Sequence, residues 1–139
     1  MAEAWTALTV ETVLNAMPSD LKTLYASWVE ANPSKANRLG ELVDEVRRTF
    51  RSAVEANPAN QLDVNPETVP VTGFRHAINS VIFNLGMEMG AEFSSAVDGL
   101  ITRADIWLRM VQNGGIPIDS AAGEDSPTYR VPEGTRWLL

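Results

Sequence analysis

A chain of 139 residues, 45% of them hydrophobic, is long enough to bury a core without the metal or disulfide staples that shorter chains need. It has no cysteine, which excludes disulfides, thiolate metal sites and cysteine nucleophiles together. Its formal net charge of -7, from 18 acidic and 11 basic side chains, repels phosphate and disfavours free DNA or an anionic membrane as the primary ligand.

Proline and glycine divide the chain into five segments and a tail, with no internal repeat. Thr9 is placed to cap a short helix from Val10 to about Ala16. Glu11 lies in its first turn, and Trp5 and Leu8 precede it as anchors. Pro18 ends that helix. Ser19 or Asp20 then caps a second helix to about Ala31, whose Leu21, Leu24, Tyr25, Trp28 and Val29 form a helical stripe that places Trp28 in the core. Asn32-Pro33 closes it. The clearest signal runs from about Ser34 to Ala56. There Leu39, Leu42, Val43, Val46, Phe50, Ala53 and Val54 share one face, and Glu41, Asp44, Glu45, Arg47, Arg48 and Arg51 lie mostly on the other. Asn57-Pro58 stops it, and residues 59–70 have the composition of a loop.

A fourth helix is expected to start between Pro70 and Gly73 and to reach about Met89. Its stripe is Phe74, Ala77, Ile78, Val81, Ile82 and Leu85, and Phe83 and Met87 widen it toward burial on a second side. Gly86 and Gly90 each cost about 1 kcal/mol against alanine, which close helix packing would justify. Gly90 either separates this helix from a fifth, about Ala91 to Asn113, or bends one long helix. The inward face of the fifth is Phe93, Val97, Leu100, Ile101, Ala104, Leu108 and Val111, with Trp107 at its edge. Gly114-Gly115 is its stop. These segments predict an all-α domain, a small bundle of about four to five helices over residues 1–115. An extended C-terminal arm follows over residues 116–139. No stretch approaches the ~18 apolar residues of a membrane span. Met1-Ala2-Glu3-Ala4 also lacks the basic start of a signal peptide.

The arm contains Pro117, Pro127 and Pro132 and has no helical period, yet it ends in Tyr129, Val131, Trp137, Leu138 and Leu139. Such a segment is expected to dock on its own domain, on a neighbouring copy or on another protein. Tyr129, Arg130, Val131, Arg136, Trp137, Leu138 and Leu139 are therefore the interface candidates of the arm, and Trp5 is the N-terminal one.

Little else points to chemistry. The single histidine, His76, has no metal-ligand spacing around it, so a structural or interface role is favoured. Glu41, Asp44 and Glu45, and Glu124-Asp125, could form acid pairs, but the arginines near the first group suggest a solvated charged face. No phosphate-cradling glycine motif is present. The small basic cluster Arg47, Arg48 and Arg51 is interrupted by acids, so salt bridges are favoured over a phosphate stripe. No catalytic, cofactor-binding or metal residue is assigned.

The order of these parts resembles the head–tail connector (adaptor) proteins of tailed bacteriophages. Leu8-Thr9-Val10-Glu11-Thr12-Val13-Leu14 is similar to their short first helix, and Leu42 to Arg51 to the long helix that follows. The Pro-rich loop leading through Val69-Pro70 into Phe74 to Leu85 resembles the next. Arg103-Ala104-Asp105 to Val111-Gln112-Asn113-Gly114-Gly115 resembles the closing helix and its stop. The likeness is one of pattern across most of the chain. It implies a homo-oligomeric ring of twelve subunits in the virion neck, assembled in the host cytoplasm. A portal protein would lie above the ring, a stopper or tail protein below, and DNA would pass non-specifically through the lumen. Ring closure needs one patch to meet a different patch on the next copy, and an aromatic arm supplies such an asymmetric contact. The alternative is a helical protein-binding or chaperone-like regulatory module. A small enzyme is disfavoured, since no nucleophile, base and oxyanion donor converge.

Overall fold

Thr9 opens the first helix as its position predicts. In the computed structural model, which describes residues 4–116 and Ile118, Thr9 is extended and caps α1 (Val10–Ala16). The Thr12 N–H donates to Thr9 Oγ1 at 3.2 Å, and the Thr9 N–H donates to Thr12 Oγ1 at 2.9 Å. A threonine thus fills the place that glutamate or glutamine usually takes in a capping box. Pro18 sets off α2 (Ser19–Ala31). Helix three starts later than expected, because Pro33–Lys35 forms a separate 3-10 turn before α3 (Arg38–Glu55). A second 3-10 turn, Val71–Gly73, leads into α4 (Phe74–Glu88), and α5 (Ser95–Gln112) follows. Over the described residues the fold is mainly helical, with five helices and one small two-stranded sheet.

Gly90 ends α4 and does not bend a longer helix. Its φ is +78°, the Ala91 N–H donates to the Gly86 carbonyl at 2.8 Å, and its own N–H donates to Met87. This is a Schellman stop, and only glycine takes that left-handed backbone without a Cβ clash. Gly114 repeats it at the end of α5, with φ +80° and Gly115 bonded back to Met110 at 2.7 Å.

Helices α3, α4 and α5 pack against one another and carry most of the core. All seven apolar positions predicted for α3 are buried. In α5 the buried face is narrower and turned relative to the prediction, centred on Ala104, Trp107 and Val111. Trp107 is therefore not at an edge. It is 5% exposed and stacks on Phe50, with ring centroids 5.3 Å apart and planes 22° from parallel. Space for the indole comes from Gly73, where a Cβ would stand 2.5 Å from the Trp107 ring. The stripe of α2 departs from expectation in the opposite sense. Only Leu21 is fully buried; Tyr25, Trp28 and Val29 are half-buried, and Leu24 is 37% exposed. Helix α2 lies outside the three-helix core, so among the described residues nothing covers much of its apolar face.

The expected loop over 59–70 ends in a strand. Thr68–Pro70 (β2) pairs antiparallel with Trp5–Ala7 (β1), in the register Trp5 to Pro70, Thr6 to Val69 and Ala7 to Thr68. Pro70 sits at the end of the ladder, where its missing N–H costs no bond. The pairing places Trp5 in the core at 4% exposure, which corrects its assignment as an N-terminal interface anchor. Its ring lies 5.2 Å from the Arg51 guanidinium carbon. Arg51 also donates to the carbonyls of Asp63, Asn65 and Thr68 and to Thr68 Oγ1. One side chain of α3 thus gathers the end of the loop and the sheet. Beyond α5, Ile118 is buried and its N–H donates to Asn60 Oδ1 at 3.3 Å. The arm candidates Tyr129, Arg130, Val131, Arg136, Trp137, Leu138 and Leu139 lie outside the described residues.

Candidate protein-docking groove

The uncovered face of α2 borders a groove of about 450 Å³, walled by α2, α4 and the first half of α5. Each wall follows from a local feature. Helix α2 contributes Leu21 and Leu24 from its stripe, and α4 contributes Ile82 and Phe83. The Schellman turn at Gly90 reverses the chain and delivers Phe93 against the bare backbone of Gly86, where a Cβ would overlap the ring. Phe83 and Phe93 face each other with centroids 5.3 Å apart. Val97, Leu100 and Ile101 of α5 complete the floor; all three are half-buried. These are the predicted inward residues of α5 that the core leaves open. The only charged lining residues are acidic, Asp20 and Glu92. An apolar groove of this size with a thin polar rim suits apolar side chains.

The other sequence candidates lie elsewhere and serve the fold. His76 is half-buried, with its ring 6.2 Å from that of Trp107. Burial, and secondarily the charge of Arg103, hold its pKa below the usual 6.5. Of the acids on α3, Glu41 meets Arg38 and Asp44 meets Arg47. Arg38 also grips Glu88 of α4 through Nε and Nη2, at 2.7–3.0 Å, and so holds that carboxyl below its ordinary range. This α3–α4 tie was not visible in the sequence, because its partners are far apart in the chain. The basic cluster is divided: Arg47 faces Asp44 and Glu67, Arg48 donates to the Asp44 carbonyl, and Arg51 turns toward the sheet. Glu124 and Asp125 lie outside the described residues. Among the described residues no three His, Asp or Glu side chains gather as a metal site, and no helix is long and apolar enough to cross a membrane.

The histidine gives a pH prediction. A folded-state pKa below the unfolded value means that the unfolded chain binds more protons as pH falls through that interval. The protein is therefore expected to lose stability on acidification from about pH 6.5 downward, before Glu88 titrates below its ordinary 4.5. His76→Gln should show a smaller drop in Tm between about pH 7.5 and pH 5 than the wild type. Equal drops would mean that His76 is as well solvated folded as unfolded.

The groove was partly legible. The widened stripe of α4 at Phe83 and the stripe of α2 were both apparent, but their meeting across an open face was not. Compared with known proteins, the chain matches no family model, no curated protein and no solved structure. Fold and groove together define a small helical domain with an apolar surface that the described residues leave open beside its core.

Proposed function

We propose that this chain is a structural virion subunit, a head-to-tail connector that works by assembling with other proteins and catalyses no reaction. The observation that carries this reading is the half-open stripe of α2 beside the groove. A domain that closes its core well elsewhere leaves that apolar face without cover from the described residues. Exposed apolar surface of this kind marks sites of protein association. The order of helices and the glycine stop, similar to those of phage connectors, direct the reading toward a ring between portal and stopper or tail protein. The acidic balance suits a lumen that DNA crosses without sticking. On this reading the protein works in the virion neck and assembles in the host cytoplasm, without cofactor or membrane.

Electron microscopy of the purified protein, alone and mixed with a portal protein, tests this. Rings or density capping the portal are expected. A protein that stays monomeric and leaves the portal bare overturns it. The groove also favours a second reading, a helical module that takes an amphipathic peptide into an apolar groove. A stable monomer that binds such a peptide would support that instead. Within the connector reading, deletion of residues 120–139 should leave the helical circular dichroism of the bundle intact and abolish ring formation. Normal rings from the shortened chain would dismiss the arm as an assembly element.

A further inference from the structure

We infer that the groove between α2, α4 and α5 is the docking site of the chain's own segment 129–139, which covers it in the free subunit. Three observations on the molecule carry this. The first is chemical fit. The groove is lined by leucine, isoleucine, valine and phenylalanine side chains. The segment Tyr129-Arg130-Val131-Pro132-Glu133-Gly134-Thr135-Arg136-Trp137-Leu138-Leu139 offers five large apolar side chains in eleven residues. The second is charge. The two charged groups of the groove, Asp20 and Glu92, are acidic, and the segment brings two arginines, Arg130 and Arg136, against one acid, Glu133. In a chain of net charge -7 this segment has a basic excess of side chains that complements the acidic groove.

The third is reach. Ile118 is fixed to Asn60 beyond the end of α5, whereas the groove lies along the first half of that helix. From Gln112 back to Leu100 is about 18 Å of helix. Residues 119–128 span about 33 Å when extended. The linker therefore exceeds this distance along α5 by about 15 Å, which is left for the path across the helix to the groove. A ligand tethered this way has an effective concentration of about a millimolar, so it outcompetes a second copy present at micromolar concentration. The inference does not depend on the connector reading. It holds or fails in the isolated subunit whether or not rings form.

The absence of cysteine makes the test clean. A Thr135→Cys variant of the full chain carries a nitroxide label, and methyl resonances are read by NMR. Leu24, Leu100 and Ile101 methyls are expected to lose most of their intensity, while methyls of Leu39 and Val46 on α3 keep theirs. A mixture of spin-labelled chain without isotope and isotope-labelled chain without nitroxide should show no such loss. Introducing Leu24→Glu, at an exposed position that the fold tolerates, should restore the Leu100 and Ile101 signals in the labelled chain. Full intensity at all groove methyls in the spin-labelled chain would overturn the inference. Loss of equal size in the mixture would also overturn it, by assigning the groove to the segment of another copy.

Discussion

Trp107→Ala is expected to destabilise the protein by about 3–5 kcal/mol, the range for deleting a buried aromatic side chain. The indole is the largest side chain at the meeting point of α3, α4 and α5. It stacks on Phe50 at 5.3 Å and fills the space left by Gly73. Its loss removes the stacking partner of Phe50 and leaves a cavity between helices that the rest of the core holds apart. Collapse into it would have to shift a core in which Phe50, Val54, Val81 and Val111 are fully buried, at the cost of their own packing. Against a typical total stability of about 5–15 kcal/mol, such a loss approaches global unfolding at 37 °C. Urea denaturation followed by circular dichroism measures it. Trp28→Ala is the informative comparison. Both residues are tryptophans on helices, but Trp28 is half-buried on α2, so its truncation should cost about 1–2 kcal/mol. If the two substitutions cost the same, the burial difference between α2 and α5 does not exist in solution.

Arg51→Met should cost about 3 kcal/mol, although it replaces a charged side chain with an apolar one of similar length. Arg51 holds three backbone carbonyls, the Thr68 hydroxyl and the face of Trp5 at once. Burial lowers its pKa, with Asp63 and Glu55 opposing, but a guanidinium remains charged at any pH at which the protein folds. Methionine keeps the packing on Trp5 and leaves the carbonyls of Asp63, Asn65 and Thr68 without this donor. Arg51→Lys should recover little, because an ammonium cannot span acceptors arranged around a planar fork. Hydrogen exchange gives the sharper readout. In Arg51→Met the amide of Leu8, bonded to the Glu67 carbonyl, should exchange much faster, while amides in the middle of α3 and α4 follow global stability. Uniform acceleration would mean that Arg51 supports the whole fold and not the sheet in particular.

How much of this was legible in the sequence varies by element. The stripe of α3 led directly to its buried residues, because all seven positions face the same core. An almost equally regular stripe on α2 did not, because periodicity reveals an apolar face but not what covers it. The burial of Trp107 is not legible in the sequence for a related reason. Its burial depends on a glycine in another segment that makes room for the ring. The burial of Trp5 is not legible either, because strand pairing with residues 68–70 leaves little local trace in three residues of sequence. The groove combines all of these cases: side chains from three helices, each visible alone, joined only by the turn at Gly90 and the close approach of Phe93 to Gly86.

What the amino-acid order settled was local: helical segments numbering four or five, the threonine cap of α1, the proline breaks and the glycine stop of α5. Those features arise from contacts within a few residues, where backbone geometry and side-chain type suffice. The tertiary structure decided what is non-local. It determined which apolar faces meet, that Arg51 binds the sheet instead of solvent, and that the other described residues leave α2 and the first half of α5 open. Such contacts depend on the space that distant segments leave for one another, and no spacing along the chain encodes that space directly.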